Sequence, residues 1–535
     1  MRKVLLLVLL AFCHSVWPGI RTESQMRKIA ARKLLDSVGE ASRLKILKST
    51  PSYYIYGKGD LGFVVVSTDD DAMPVLGYSS SEYVEKDMPP AFKCWLKAVE
   101  ASSFSSNVSA TYQAVPNFLT TTWGQSDPFN YLCPEINETK TPTGCVATAM
   151  GQIMYYYQYP LHGTGQGYYT LGEAETVRYP NEIKDVYQWD LIKPDYSGIT
   201  VSDDERLAVA TLLKDAGIAA HMNYNVGGSG AFISDAALAF VNNFGFDANT
   251  TQYMLKEYYD NAEWSSVIYS ELAARRPVLA GGYDPANGGH AFVFSGVDGD
   301  GKVYVNWGWN GNADGFYEIT SLNPNGILGS NNTMAFNFNN EIVYGLQPAQ
   351  GEPDESLHHS LWACTEPFNA EYQKIRNWLK IKTSTIYNIS IYPFTGEIKL
   401  YCESVDGDNT KDISYTFSDY TQNVIPSGYG YSEQVKTIKT TDLTPGRYYI
   451  YLVSQTTTET LPQKVRYPGG LFQYIMTKDD NGVLTIEDEK STDIASLTQF
   501  AATPHYSGLY DLMGRKVSSD NLHGIYIRNG KKVVR

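Results

Sequence analysis

The stretch Thr143-Gly144-Cys145-Val146-Ala147-Thr148-Ala149-Met150 puts a cysteine directly behind a glycine, at the start of a strongly helical run. From there Val146, Ala149, Met150, Ile153, Met154 and Tyr157 mark one apolar face at helical spacing, until Pro160 stops the pattern. Thr143 is the expected N-cap, which sets Cys145 in the first turn. Backbone N–H groups there lack intrahelical partners, and the helix dipole favours an anion. A thiol so placed is pushed towards thiolate, the nucleophilic form. A lone cysteine is more often a small buried hydrophobe, so its partners decide the reading.

Downstream, Gly288-Gly289-His290 is followed by Ala291-Phe292-Val293-Phe294-Ser295-Gly296-Val297, a buried strand ending in the turn Asp298-Gly299-Asp300-Gly301. Lys302-Val303-Tyr304-Val305-Asn306-Trp307 reads as its hairpin partner. His290 stands at the mouth of the first strand, behind glycines that let a backbone or ligand come close. Asn306 and Trp307 end the return strand at the same sheet edge. Cysteine, histidine and asparagine brought together this way make a base-activated nucleophile with a third, orienting group. Cys145 and His290 are 145 residues apart, within the roughly 130–150 of a papain-like order.

Several separated segments carry a more specific likeness. Gly144-Cys145-Val146-Ala147-Thr148-Ala149, Gly289-His290-Ala291-Phe292-Val293, Val305-Asn306-Trp307-Gly308-Trp309 and Asp314-Gly315-Phe316-Tyr317 resemble the active-site segments of the streptopain family of bacterial cysteine peptidases. Leu119 to Gln125 and Pro128-Phe129-Asn130 resemble that family's leading catalytic segment. The likeness spans about residues 25 to 348, although the usual papain signature around the cysteine is absent. It implies an α+β fold, papain-like and two-part, with a helical half against an antiparallel sheet. It also implies Cys145 as nucleophile, His290 as base, Asn306 as orienter, Trp307 as shield and Gln125 as oxyanion donor. Gly144, Gly228, Ser229 and Gly289 are its candidate substrate-binding positions, though Gly227-Gly228-Ser229-Gly230 reads equally as a plain loop.

Composition fits an exported, multidomain chain. The 535 residues predict about three to four domains. With 41 Tyr, 9 Trp and 43% hydrophobic residues the chain is globular rather than disordered. A net charge of −15 without a basic stripe gives no support to nucleic-acid binding. Met1-Arg2-Lys3 and the apolar Val4 to Phe12 read as a secretory signal, and no later segment is long and apolar enough for a transmembrane span. Leu10-Ala11-Phe12-Cys13 faintly resembles a lipid-attachment box, with Phe12 too large for its position. Six cysteines are too few for a disulfide framework. Cys364 and Cys402 are the one pair open to bridging, and Cys145 must stay free of Cys133.

The chain is expected to divide into a signal peptide 1–23, an inhibitory propeptide 24–112, a catalytic domain 113–348, an Ig-like β-sandwich 352–482 and an all-β C-terminal module 490–535. In the second unit Met26, Ile29, Ala30, Leu34 and Val38 predict a short helix, and Tyr53–Tyr56 with Phe63–Ser67 predict two strands. That unit resembles the family's propeptide, with a processing link near 105–116. In the catalytic region helices are expected over 202–220, 234–244 and 262–275. The tail segments Gly508 to Val517 and Gly524 to Arg535 resemble sorting signals of the type IX secretion route, which implies that machinery as a partner and a cell-surface or extracellular destination.

His162 and His221 lack the glycine-before-strand setting and read as structural or surface histidines. Asp298-x-Asp300-Gly301 reads as a hairpin turn rather than a calcium loop, because no glutamate closes it. The reading is a secreted cysteine endopeptidase made as a zymogen, acting on protein or peptide substrates, inhibited by its own propeptide and needing no metal or organic cofactor. The alternatives are another Cys/His acyl-transfer enzyme (transglutaminase-like, or a cell-wall amidase) and a non-catalytic adhesin on a peptidase-like scaffold.

Overall fold

The computed structural model describes residues 19–488 apart from 36, 102–111, 173, 285–287, 320–336, 359 and 460, together with four short strands between 509 and 534. The lipid-attachment box and most of the expected export signal and processing link lie outside the described residues. Residues 19–22, assigned from sequence to the signal, pack with the unit that follows. Ile20 bridges Asp69, and the Arg21 guanidinium donates to the carbonyls of Ser67 (3.2 Å) and Ala72 (2.7 Å).

Helix α1 (Glu23–Leu35) leads into strands β1 (Lys45–Ser49), β2 (Tyr53–Gly57), β3 (Phe63–Ser67) and β4 (Val75–Ser79), then helix α2 (Pro90–Ala101). All five residues of β3 are buried because both faces are covered. Val64 and Val66 pack on Met26 and Ala30 of α1, whereas Phe63 and Val65 share a core with Phe92 and Trp95 of α2. This is the period-two alternation of a strand set between two helices.

The catalytic region begins its helical half with α3 (Cys145–Tyr157), α4 (Asp203–Ala219) and α5 (Ile233–Asn242), followed by α6 (Asn261–Ala273). Ser202 and Asp260 start α4 and α6 with full capping boxes through Glu205 and Glu263. Its sheet comprises β5 (Gln252–Leu255), β6 (Val278–Asp284), β7 (Gly288–Val297), β8 (Val303–Asn306), β9 (Gly315–Tyr317) and β10 (Asn337–Tyr344). Along β7, Ala291 and Val293 face the core built on α3, while Phe292 and Phe294 face the core of α6 and α2. The Asp298–Gly301 segment is a hairpin turn: Asp298 Oδ1 accepts from Asp300 N (3.0 Å) and Lys302 N (2.9 Å).

Sequence gave no warning that the two units make one sheet. Its order is β1-β2-β3-β4-β9-β8-β7-β6-β10-β5, joined where Gly77, Tyr78 and Ser79 pair antiparallel with Tyr317, Phe316 and Gly315. Glu318 N donates to Leu76 O at 2.8 Å, and Trp95 Nε1 donates to Glu318 O at 2.8 Å.

Residues from Trp362 onward form antiparallel sheets around a third core, including Trp362, Ile398, Leu400, Ile450 and Leu452. This sandwich is docked on the catalytic region. Arg466 reaches both Glu263 carboxylate oxygens (2.9 and 3.2 Å) and lies 3.8 Å from the Tyr259 ring centroid. The last strands (509–511, 516–517, 525–528 and 531–534) form a separate four-stranded sheet. Cys94, Cys133, Cys145, Cys364 and Cys402 are all free thiols, so Cys364 and Cys402 are not bridged. Among the described residues no helix is long and apolar enough to cross a membrane.

Candidate active site

Helix α3 starts one residue later than its N-cap was expected. Gly144, not Thr143, occupies the cap position, with φ 85° and ψ 144°. This left-handed φ suits glycine, and the space forbids anything larger: a Cβ there would stand 2.7 Å from Met222 Sδ and 3.0 Å from Ser229 O. Thr143 is fully buried and otherwise engaged. Its hydroxyl bonds that of Thr148 at 2.9 Å, and its N–H donates to Gln125 O at 3.1 Å. Thr148 Oγ1 also donates to Gly124 O at 3.3 Å. These bonds close the twenty-residue gap in sequence and set Gln125 beside Cys145.

One small cavity, with room for little more than a single water molecule, is lined by Gln125, Cys145, His290, Trp307 and Trp309 together with Pro89, Pro90 and Ala91 at the start of α2. Ligand sites generally occupy ~300–1,000 Å³; this one is far smaller, and the N-terminal unit supplies part of its wall. Cys145 is half-buried. Burial pushes its thiol above the usual range, against the lowering effect of the N–H groups of Ala291, Val146 and Cys145 itself. The expected drift towards thiolate is therefore reversed here: the helix-start amides are present, but desolvation wins. Cys133 is a buried thiol pushed up to about 12 by desolvation, partly offset by the Tyr224 hydroxyl.

Asn306 is buried. Its amide donates to Thr121 O at 2.7 Å, and its carbonyl oxygen accepts from Gly308 N at 3.0 Å. Trp307 turns towards the other core, where its ring packs against Phe292 (5.3 Å), Tyr317 (5.4 Å) and Phe92 of α2 (6.0 Å between centroids). Its Nε1 donates to Ala313 O and its N–H to Asp314 Oδ1, both at 2.8 Å. Asp314 is buried, and desolvation raises its carboxyl to about 7 despite that N–H. The loop from 307 to 314 is thus bonded to itself and to the N-terminal unit, since Ser79 Oγ donates to Asp314 O at 2.6 Å.

Gly144, Gly228, Ser229 and Gly289 are not part of the cavity lining. Ser229 anchors its loop over Gly144 by donating to Pro142 O at 2.7 Å, while Gly228 and Gly289 are exposed. His162 bonds the neighbouring Gly163 carbonyl. His221 stacks on Tyr168 at 4.1 Å and bonds Asp235. Sequence reasoning missed Trp309 as a cavity residue, although it ends one of the quoted motifs. It also missed the Pro89-Pro90-Ala91 plug, for which a proline pair at a helix start was the available signal.

A cysteine at a helix start, facing a histidine strand end across two packed halves and covered by an N-terminal unit, defines a cysteine peptidase with an inhibitory prosegment. Comparison with known proteins agrees. The peptidase C10 family model matches residues 123–317, and that of the Spi protease inhibitor matches residues 20–102. Streptopain of Streptococcus pyogenes is 32% identical over 330 residues, covering 56% of this chain and 82% of that protein. The thiol protease/hemagglutinin PrtT of Porphyromonas gingivalis is 29% identical over 327 residues, covering 56% of this chain and 37% of that protein. A solved prointerpain A fragment of Prevotella intermedia is 35% identical, covers 58% of this chain and 99% of its own, and superposes with a TM-score of 0.49. The chain belongs to the peptidase C10 (streptopain) family: it is a cysteine peptidase made as a zymogen.

Proposed function

We propose that the chain is exported and cleaves protein substrates with Cys145 as nucleophile and His290 as general base and acid. The Cys145 sulfur attacks the scissile carbonyl carbon as thiolate while His290 holds the proton. Collapse of the tetrahedral adduct breaks the C–N bond, and the proton passes to the leaving amine. Water, deprotonated by His290, then hydrolyses the thioester and restores the thiol. Gln125 and the Cys145 N–H stabilise the oxyanion. Asn306 orients the imidazole with its carbonyl oxygen, which keeps a second lone pair beyond its bond from Gly308 N. Trp307 excludes water from that contact. Gly144, Gly228, Ser229 and Gly289 border the substrate path.

The observation that carries this reading is the cavity that Gln125, Cys145, His290 and Trp307 share and that Pro89–Ala91 also line. Pro90 and Ala91 are the first residues of α2, so they do not run extended as a substrate does. Each proline also lacks the N–H that a bound strand would offer. Latency follows from occupation of the cleft and from burial of the thiol, and processing near residues 105–116 releases both. The C-terminal module 490–535 serves export across an outer membrane. Incubating the processed protein with a denatured protein and identifying cleaved bonds by mass spectrometry tests the activity. Intact substrate after full removal of the segment up to residue 112 would refute it.

A further inference from the structure

Helix α3 turns Thr148 and Gln152 to the same side as Cys145, at i+3 and i+7. Both are fully buried. Thr148 is satisfied by Thr143 and by the carbonyls of Gly124 and Gly144. Gln152 is not: neither Nε2 nor Oε1 meets a hydrogen-bond partner among the described residues. An unmatched buried polar group is costly, and Met or Leu would fill the same space without that cost.

The amide lies against the turn that follows Asn306. Gly308 has φ 65°, and a Cβ there would stand 3.3 Å from Thr148 Cγ2 and 3.9 Å from Gln152 Nε2. On this turn Asn306 is clamped between Thr121 O and Gly308 N. The Thr121 hydroxyl is a second buried polar group without a protein partner. Segments around 121, 152 and 306 therefore converge on one turn, and two of them bring unused hydrogen-bonding capacity. Buried sites that offer several unmatched polar groups are where proteins hold ordered water.

We propose that Gln152 is a positioning residue of the peptidase site: with the Thr121 hydroxyl it holds ordered water against the Asn306–Gly308 turn and so fixes the direction in which Asn306 presents its carbonyl oxygen. The inference rests on the orienting role given to Asn306 above. Gln152 touches neither substrate nor reacting atoms and acts through that turn.

The test uses processed enzyme from the full chain, with kcat referred to active sites titrated by a thiol-directed inhibitor. Gln152→Met keeps the length and removes both polar atoms. Its Tm is expected to equal or exceed that of the parent, while kcat falls roughly 10- to 100-fold, as for a misplaced catalytic group. KM should stay within about twofold, because ground-state binding is untouched. In an Asn306→Ala background the same change should cost less than about twofold, since residues acting as one unit are not additive. A kcat per titrated site within about twofold of the parent, with Asn306→Ala impaired, overturns the role of Gln152 alone, whatever the Tm. Equal losses in both backgrounds overturn it too, by showing that Gln152 acts elsewhere. Full turnover in Asn306→Ala removes the reading beneath it.

Discussion

Phe92 is the point where prosegment and active site share one aromatic cluster, and Phe92→Ala tests whether that cluster maintains latency. The ring is fully buried. It meets Phe63 (5.6 Å) and Trp95 (5.8 Å) within the prosegment, and Trp307 (6.0 Å) and Tyr317 (5.6 Å) across the interface. Truncating a buried Phe to Ala costs ~3–5 kcal/mol. With two of four ring contacts crossing the interface, about 2 kcal/mol of that falls on prosegment binding, or about 30-fold in affinity. The assay is inhibition of processed enzyme by separately made prosegment, read with a fluorogenic peptide, beside circular dichroism of the prosegment. Phe92→Ala should raise the inhibition constant about 30-fold, and the full-length variant should process faster. A change below about threefold in a folded prosegment, against the energies expected of buried aromatics, would show that the plug and the shared sheet act without this cluster.

Cys145→Ala should abolish proteolysis with the fold intact, read by substrate digestion and melting, since losing a nucleophile costs orders of magnitude in rate. A thiol-directed epoxide should label Cys145 quickly after processing and slowly before it, because Pro89–Ala91 share its cavity and burial holds that thiol up; Cys133, pushed up to about 12, should stay unlabelled in both states. Asn306→Ala should lower kcat substantially without eliminating it, whereas Trp307→Ala should lose activity and also about 3–5 kcal/mol of stability, measured by denaturant unfolding. Asp314 titrates at about 7 in the fold instead of near 3.8, so its stabilising contribution is complete below pH ~4, declines as pH rises and is gone above pH ~7. Asp314→Asn should therefore flatten the precursor's stability between those limits and raise it at pH 8 by at most about 4 kcal/mol; an unchanged pH profile of unfolding would refute the assignment.

Whatever depends on near neighbours in the chain was legible in the sequence. The helix from Cys145 follows from apolar spacing and Pro160, and strands 53–57 and 63–67 follow from aromatic and β-branched runs bounded by glycine. The 298–301 turn follows from Asp and Gly at fixed offsets, and the order of Cys145, Gly289-His290 and Asn306-Trp307 carried the family likeness. Tertiary structure decided what depends on distant segments meeting. It brought Gln125 to Cys145 through the bond from Thr143 N to Gln125 O and fused the prosegment to the catalytic sheet through residues 77–79 and 315–317. It also moved the cap to Gly144, because Thr143 is bound by Thr148. It set the thiol's surroundings as well: a helix start favours the anion, but burial in the folded chain pushes the thiol up instead, and periodicity and local propensity hold no information about what will cover a side chain.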